Sequence, residues 1–183
     1  MNSAVENVLL KHQTQFHSVV NFDAATEKIA VVNLSESNTA LTEDIFSNTK
    51  VFSDYIDAER KAANAKFLIG GYKELRAMYK RSALFNFVND NLRSQVDTGK
   101  TDAIETEPRR LHLGIDIWGA ADTKIFAPLG GMVHSFANNE NFGDYGATII
   151  LQHQLETVVF HTLYGHLALK DIIQLKPGQF VTR

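Results

Sequence analysis

The residues in this chain best suited to chemistry are His112 and Asp116, a histidine and a carboxylate four positions apart in the stretch from Arg110 to Gly119. Imidazole nitrogen and carboxylate oxygen are both good donors to Zn²⁺. Side chains alternate faces along an extended strand. His112, Gly114 and Asp116 are therefore expected on one face, with Leu113, Ile115 and Ile117 on the other, filling a core. Gly114 would leave room for an ion or for a third ligand from elsewhere. The same spacing also fits a plainer arrangement, a buried histidine hydrogen-bonded to a nearby acid, and the pattern alone leaves both open.

Further histidines follow downstream. Along Phe160 to Leu167 the same parity puts Thr162, Tyr164 and His166 on one face, so that the strand end projects His166 toward a groove. A cluster of His112, Asp116 and His166 facing that groove is the expected arrangement. Tyr164 shares the face, as a substrate contact or as packing. His153, at the end of a neighbouring strand, is an accessory candidate and the first substitute ligand. His161 has the opposite parity and His134 lies on another strand, so both read as structural, while His12 and His17 read as surface or packing residues.

Composition narrows what those groups can do. The chain has no cysteine, which excludes disulfides, thiolate zinc sites and cysteine nucleophiles, so any metal must be held by His, Asp or Glu. A formal net charge of −3, with the charges scattered, gives no footprint for nucleic acid. No window approaches the roughly 18 consecutive apolar residues of a membrane span. Met1 to Lys11 lacks the basic and apolar regions of a signal peptide, so a cytoplasmic location is expected for the sequence as it stands, and a cell-envelope one if an export signal has been removed.

The elements that must position the site fall into two parts. Residues 1–105 read as an N-terminal extension. It holds a strand from Lys28 to Leu34, one long helix over about 42–66 with Thr42 capping its first turn, and Gly70-Gly71 past its end. A connector runs from Tyr72 to Phe87, where Arg76, Lys80 and Arg81 among aromatics read as packing against the main domain, and a polar linker runs from Asn89 to Pro108. Over residues 106–183 the period becomes two and glycines become frequent. Strands are expected at Gly114–Ile117, Thr123–Ala127, Gly131–Phe136, Ala147–Gln152 and Thr157–Tyr164. The class is α+β, mainly β: an antiparallel sheet or sandwich with an N-terminal extension carrying one long helix.

The order of blocks from Leu111 to Val181 resembles the lysostaphin-type zinc metallopeptidases. The blocks run from His112 to Asp116, Ala127 to Val133, Gly143 to Gly146 leading into Ile149 to His153, Thr162 to Leu167, and Leu175 to Val181. The resemblance implies the duplicated hybrid motif fold, a groove, and cleavage of peptide bonds in peptidoglycan by a zinc-activated water. It implies zinc-ligand roles for His112 and Asp116 and a catalytic role for His166. The family pattern continues with a His-x-His strand that supplies the third ligand and another catalytic histidine. The sequence here ends at Arg183, which predicts a fragment of a longer protein with an incomplete, weakly active site and a bare sheet edge open to self-association. The alternative is a non-catalytic module that binds peptide or glycan. Sugar-phosphotransferase carriers of the glucose type share the fold and a His-x-Gly-x-Asp block. In them that block follows the Ala-Pro-x-x-Gly-x-Val-like block, whereas here it precedes it.

Overall fold

The computed structural model describes residues 3–80, 111–140 and 144–183. In chain order its helices are α1 (Ala4–Lys11), α2 (Glu43–Ser47), α3 (Thr49–Ala62) and α4 (Leu169–Ile172). Its strands are β1 (Ile29–Val32), β2 (Phe67–Gly70), β3 (Glu74–Leu75), β4 (Leu111–His112), β5 (Asp116–Trp118), β6 (Gly131–Asn139), β7 (Gly146–Leu155), β8 (Val158–Leu167) and β9 (Phe180–Val181). The result is an α+β, mainly β molecule. None of the helices is long and apolar enough to cross a membrane among the described residues. Two compact units are present, one formed by Met1–Phe22 with Ala121–Arg183 and the other by Asp23–Ala120. The boundary expected near residue 105, and the linker around it, lie outside the described residues.

In the unit of residues 23–120, β1 pairs parallel with β2, and β2 pairs antiparallel with β5, placing Gly70 opposite Asp116. A separate two-stranded ladder sets Glu74 of β3 opposite His112 of β4. Val32, Leu34, Leu41, Ile56, Ala65 and Leu68 form the core, with Phe52 edge-on to Trp118 at 5.4 Å. Each fully buried aliphatic side chain there contributes about 1.5–3 kcal/mol.

The single long helix expected over about 42–66 is two helices. Asn48 has extended backbone, and its side-chain oxygen accepts from the amides of Lys50 and Val51 at 2.9 and 3.2 Å. A residue capping the helix that follows cannot also continue the helix before it. Thr42 stands at the N-cap of α2 but makes no capping bond through its side chain. Gly70 is not a helix stop: it ends β2, an unanticipated strand that the apolar run Phe67-Leu68-Ile69 forms once Asn64, at φ 48°, has turned the chain out of α3. The N-terminal helix α1 was also unanticipated, although Ser3 and Glu6 form a reciprocal capping box readable as Ser-x-x-Glu.

In the other unit, β8, β7, β6 and β9 make one antiparallel sheet in that order. Ala127, Val133 and Leu151 form its core, with Phe136, Ile149, Tyr164 and Val181 packed against them. The tight turn between β7 and β8 places Glu156 at φ 53°. The stretch Thr123–Ala127, expected as a strand, contributes only a single bridge from Ile125 to Val20.

Candidate metal centre

His112 and Asp116 come together, but not as neighbours on one strand. The chain leaves β4 after His112, crosses Leu113 to Ile115 outside any strand, and enters β5 at Asp116, so the two residues belong to different sheets. The expectation that Leu113 and Ile115 fill a core fails for the same reason: with the strand interrupted, they are 59% and 63% exposed. Gly114 has a different use from the one expected. A Cβ there would lie 3.2 Å from both Cε1 and Nε2 of His112, so the missing side chain makes room for the imidazole ring itself.

Nε2 of His112 lies 3.6 Å from Oδ1 of Asp116. That is beyond the range of an N–H···O hydrogen bond. It is close to the separation of about 3.4 Å between two donors that each sit about 2.1 Å from a tetrahedral zinc. The other oxygen of Asp116, Oδ2, is taken by a cation: Nη1 of Arg76 stands 2.6 Å from it. Nε of Arg76 lies 3.1 Å from Oε2 of Glu74, and Oε1 of Glu74 accepts the Leu34 amide at 3.0 Å. The Arg76 side chain is only 5% exposed. Glu74 and Arg76 escaped sequence reading. Arg76 looked like one of several connector cations, and nothing in the spacing from residue 76 to residue 116 announces their pairing.

Two donors fit zinc, and among the described residues no group of three or more His, Asp or Glu is arranged to hold an ion. His166 lies in the other unit. It is exposed, with a left-handed backbone at φ 56°, and its amide donates to the Tyr145 carbonyl at 2.6 Å. The register of β7 with β8 shifts there, from Ile149 opposite Tyr164 to Ala147 opposite Leu167. This bulge breaks the alternation that would have carried His166 onto the face of Thr162 and Tyr164.

His153 lies inside β7 rather than at its end. Its Nδ1 donates to the Gly130 carbonyl at 3.0 Å, and its Nε2 is 2.7 Å from the Thr162 hydroxyl, which is in turn 3.0 Å from the Tyr164 hydroxyl. The ring stacks on Phe160 at 5.2 Å. Burial pushes the Tyr164 phenol above its ordinary pKa, against the opposing effect of its bond to Thr162. Tyr164 packs against the sheet core, so His153, Thr162 and Tyr164 form a satisfied interior chain. His134 and His161 contact each other edge to face at 4.9 Å, on exposed positions of β6 and β8.

Compared with known proteins, residues 110–183 match peptidase family M23. No curated protein and no solved structure matches the chain. The matched segment contains His112, Asp116, His153, Tyr164 and His166, and it is a peptidase-like segment of the metallopeptidase kind.

Proposed function

With residues 110–183 a segment of peptidase family M23 as the premise, we propose that this protein is a zinc metallopeptidase acting on the peptides of peptidoglycan. His112 and Asp116 would hold the metal, through Nε2 and Oδ1. The observation that carries the reading is the 3.6 Å separation of those two atoms, too long for a hydrogen bond and suited to two ligands of one ion. A zinc ion held by His112 and Asp116 would supply a water of lowered pKa and polarise the scissile carbonyl. Catalytic zinc usually has three protein ligands, and His112 and Asp116 are proposed as two of them.

The chain's own groups have separate tasks. His112 and Asp116 fix the metal, and the resemblance of the block from Thr162 to Leu167 supports a catalytic role for His166, an imidazole able to take up or return a proton or to donate to an oxyanion. Its left-handed backbone supports that role, because sparsely populated backbone conformations cluster at active sites and hold a side chain in one direction. A β-bulge serves the same end, re-aiming one side chain out of a regular strand.

The test is hydrolysis by the zinc-loaded protein of cross-linked peptides released from peptidoglycan, against unrelated peptides of equal length. The proposal expects new amino termini from the first set only, abolished by His112→Ala, Asp116→Ala and His166→Ala. Zinc-independent binding of those peptides without hydrolysis would instead establish a non-catalytic recognition module.

A further inference from the structure

The connector cation Arg76 does not pack against a surface: it is buried in the candidate metal site, between two carboxylates. We propose that Arg76, held by Glu74, is a positioning residue for the metal site. It fixes Oδ2 of Asp116 so that Oδ1 alone is presented beside Nε2 of His112. This rests on the zinc reading above.

The order of the contacts points this way. The amide of Leu34 fixes Glu74, Glu74 fixes Nε of Arg76, and Nη1 of Arg76 fixes Oδ2 of Asp116. The first and last links join residues far apart in sequence and the middle one joins residues two apart, all within one unit, so the carboxylate is tied back to the core residue Leu34. The backbone makes room for this. A Cβ on Gly70, directly across from Asp116 on β2, would lie 3.1 Å from Nη2 of Arg76 and 3.2 Å from Cβ of Asp116. Gly70 thus accommodates the guanidinium against the carboxylate.

Charge decides between two roles for this arginine. A lone guanidinium beside a metal ligand would repel a divalent ion and act as a competitor for the carboxylate. Here Glu74 neutralises it at 3.1 Å, so the pair adds no net charge to the site. What remains is directional: a rigid planar donor occupies one carboxylate oxygen and leaves the other for the ion. Partners of this kind typically hold metal ligands in orientation, and losing one weakens metal affinity by about 10–100-fold.

The two roles predict opposite signs. Zinc affinity is measured by chelator competition on the whole chain, with the thermal midpoint of each metal-free variant alongside and the Co²⁺ absorption spectrum as a report of coordination geometry. The double variant Glu74→Gln with Arg76→Met removes the neutral pair without stranding a buried charge. It is expected to weaken zinc binding by about 10–100-fold and to change the Co²⁺ spectrum. Arg76→Lys, which keeps the charge and loses the fork, is expected to recover part of the affinity. Unchanged or tighter zinc binding in the double variant, at a wild-type metal-free midpoint, would overturn the role of Arg76 and leave the zinc reading standing. Wild-type protein that takes up no more zinc than His112→Ala would overturn both. If the double variant fails to fold, Arg76→Lys alone decides: affinity and spectrum equal to wild type would refute the proposal.

Discussion

His112 and His153 are both buried, 8% and 2% exposed, and both lie in the segment matching the peptidase family, yet the protein treats them differently. His153 has partners on both ring nitrogens within 3.0 Å, a backbone carbonyl on one side and a hydroxyl on the other, and Phe160 stacked on its ring. His112 directs Nε2 at a carboxylate oxygen that stops 3.6 Å away, while the carboxylate's other oxygen is held by an arginine. Burial and residue type do not separate the two histidines. His153 sits at hydrogen-bond length from the Gly130 carbonyl and the Thr162 hydroxyl, whereas Nε2 of His112 stands 3.6 Å from Oδ1 of Asp116, the spacing on which the proposed metal role rests.

That contrast can be broken most decisively with metal. His112→Ala is expected to lower zinc affinity by more than the roughly 100-fold upper range for a supporting residue, since it removes a donor outright. His153→Gln is expected to leave affinity within about threefold, because it acts only on a satisfied interior chain. Chelator competition measures both, and equal losses would erase the distinction.

Stability should show the reverse order. His153→Ala leaves a cavity beside Phe160 and strands the Gly130 carbonyl and the Thr162 hydroxyl, at a cost of about 2–4 kcal/mol in urea denaturation. Gly131→Ala sharpens the same point from the other side. Its Cβ would lie 2.7 Å from Nδ1 of His153 and 2.8 Å from the Gln152 carbonyl, so backbone must move, at a cost of about 1–3 kcal/mol. Wild-type stability in Gly131→Ala would show that His153 is loosely held and open to other roles.

The smallest effect concerns a third histidine, His12 on the surface. Lys11, and after it His12, hold the Glu156 carboxyl below its ordinary value of 4.5. A depressed folded pKa means that this contribution to stability is full above about 4.5 and is lost as pH falls through the folded value. Glu156→Gln should therefore flatten the acid side of the stability profile slightly, and leave neutral stability nearly unchanged because the pair is exposed. A full-sized acid transition in Glu156→Gln would assign that transition to other carboxylates.

Much of this was legible in the residues. The period-two pattern located β6, β7 and β8 to within a few positions, because antiparallel strands with one buried face carry that signal. The pairing of His112 with Asp116 was also legible, although through strand parity that the structure does not use. What escaped was non-local or competitive. Asn48 splits the long helix because its side chain offers the backbone a better partner than helix continuation. The bulge at His166 depends on pairing with β7, which parity along β8 alone cannot reveal. The Glu74–Arg76–Asp116 chain spans a sequence gap that no local pattern bridges.

The central claim is that Nε2 of His112 and Oδ1 of Asp116 share one metal ion. Anomalous diffraction at the zinc absorption edge, from crystals of the zinc-loaded protein, tests it directly. The account predicts a peak about 2.0–2.2 Å from both atoms, with Oδ2 of Asp116 still on Arg76. A zinc peak at His153 or between His134 and His161, with none at His112 and Asp116, would contradict it.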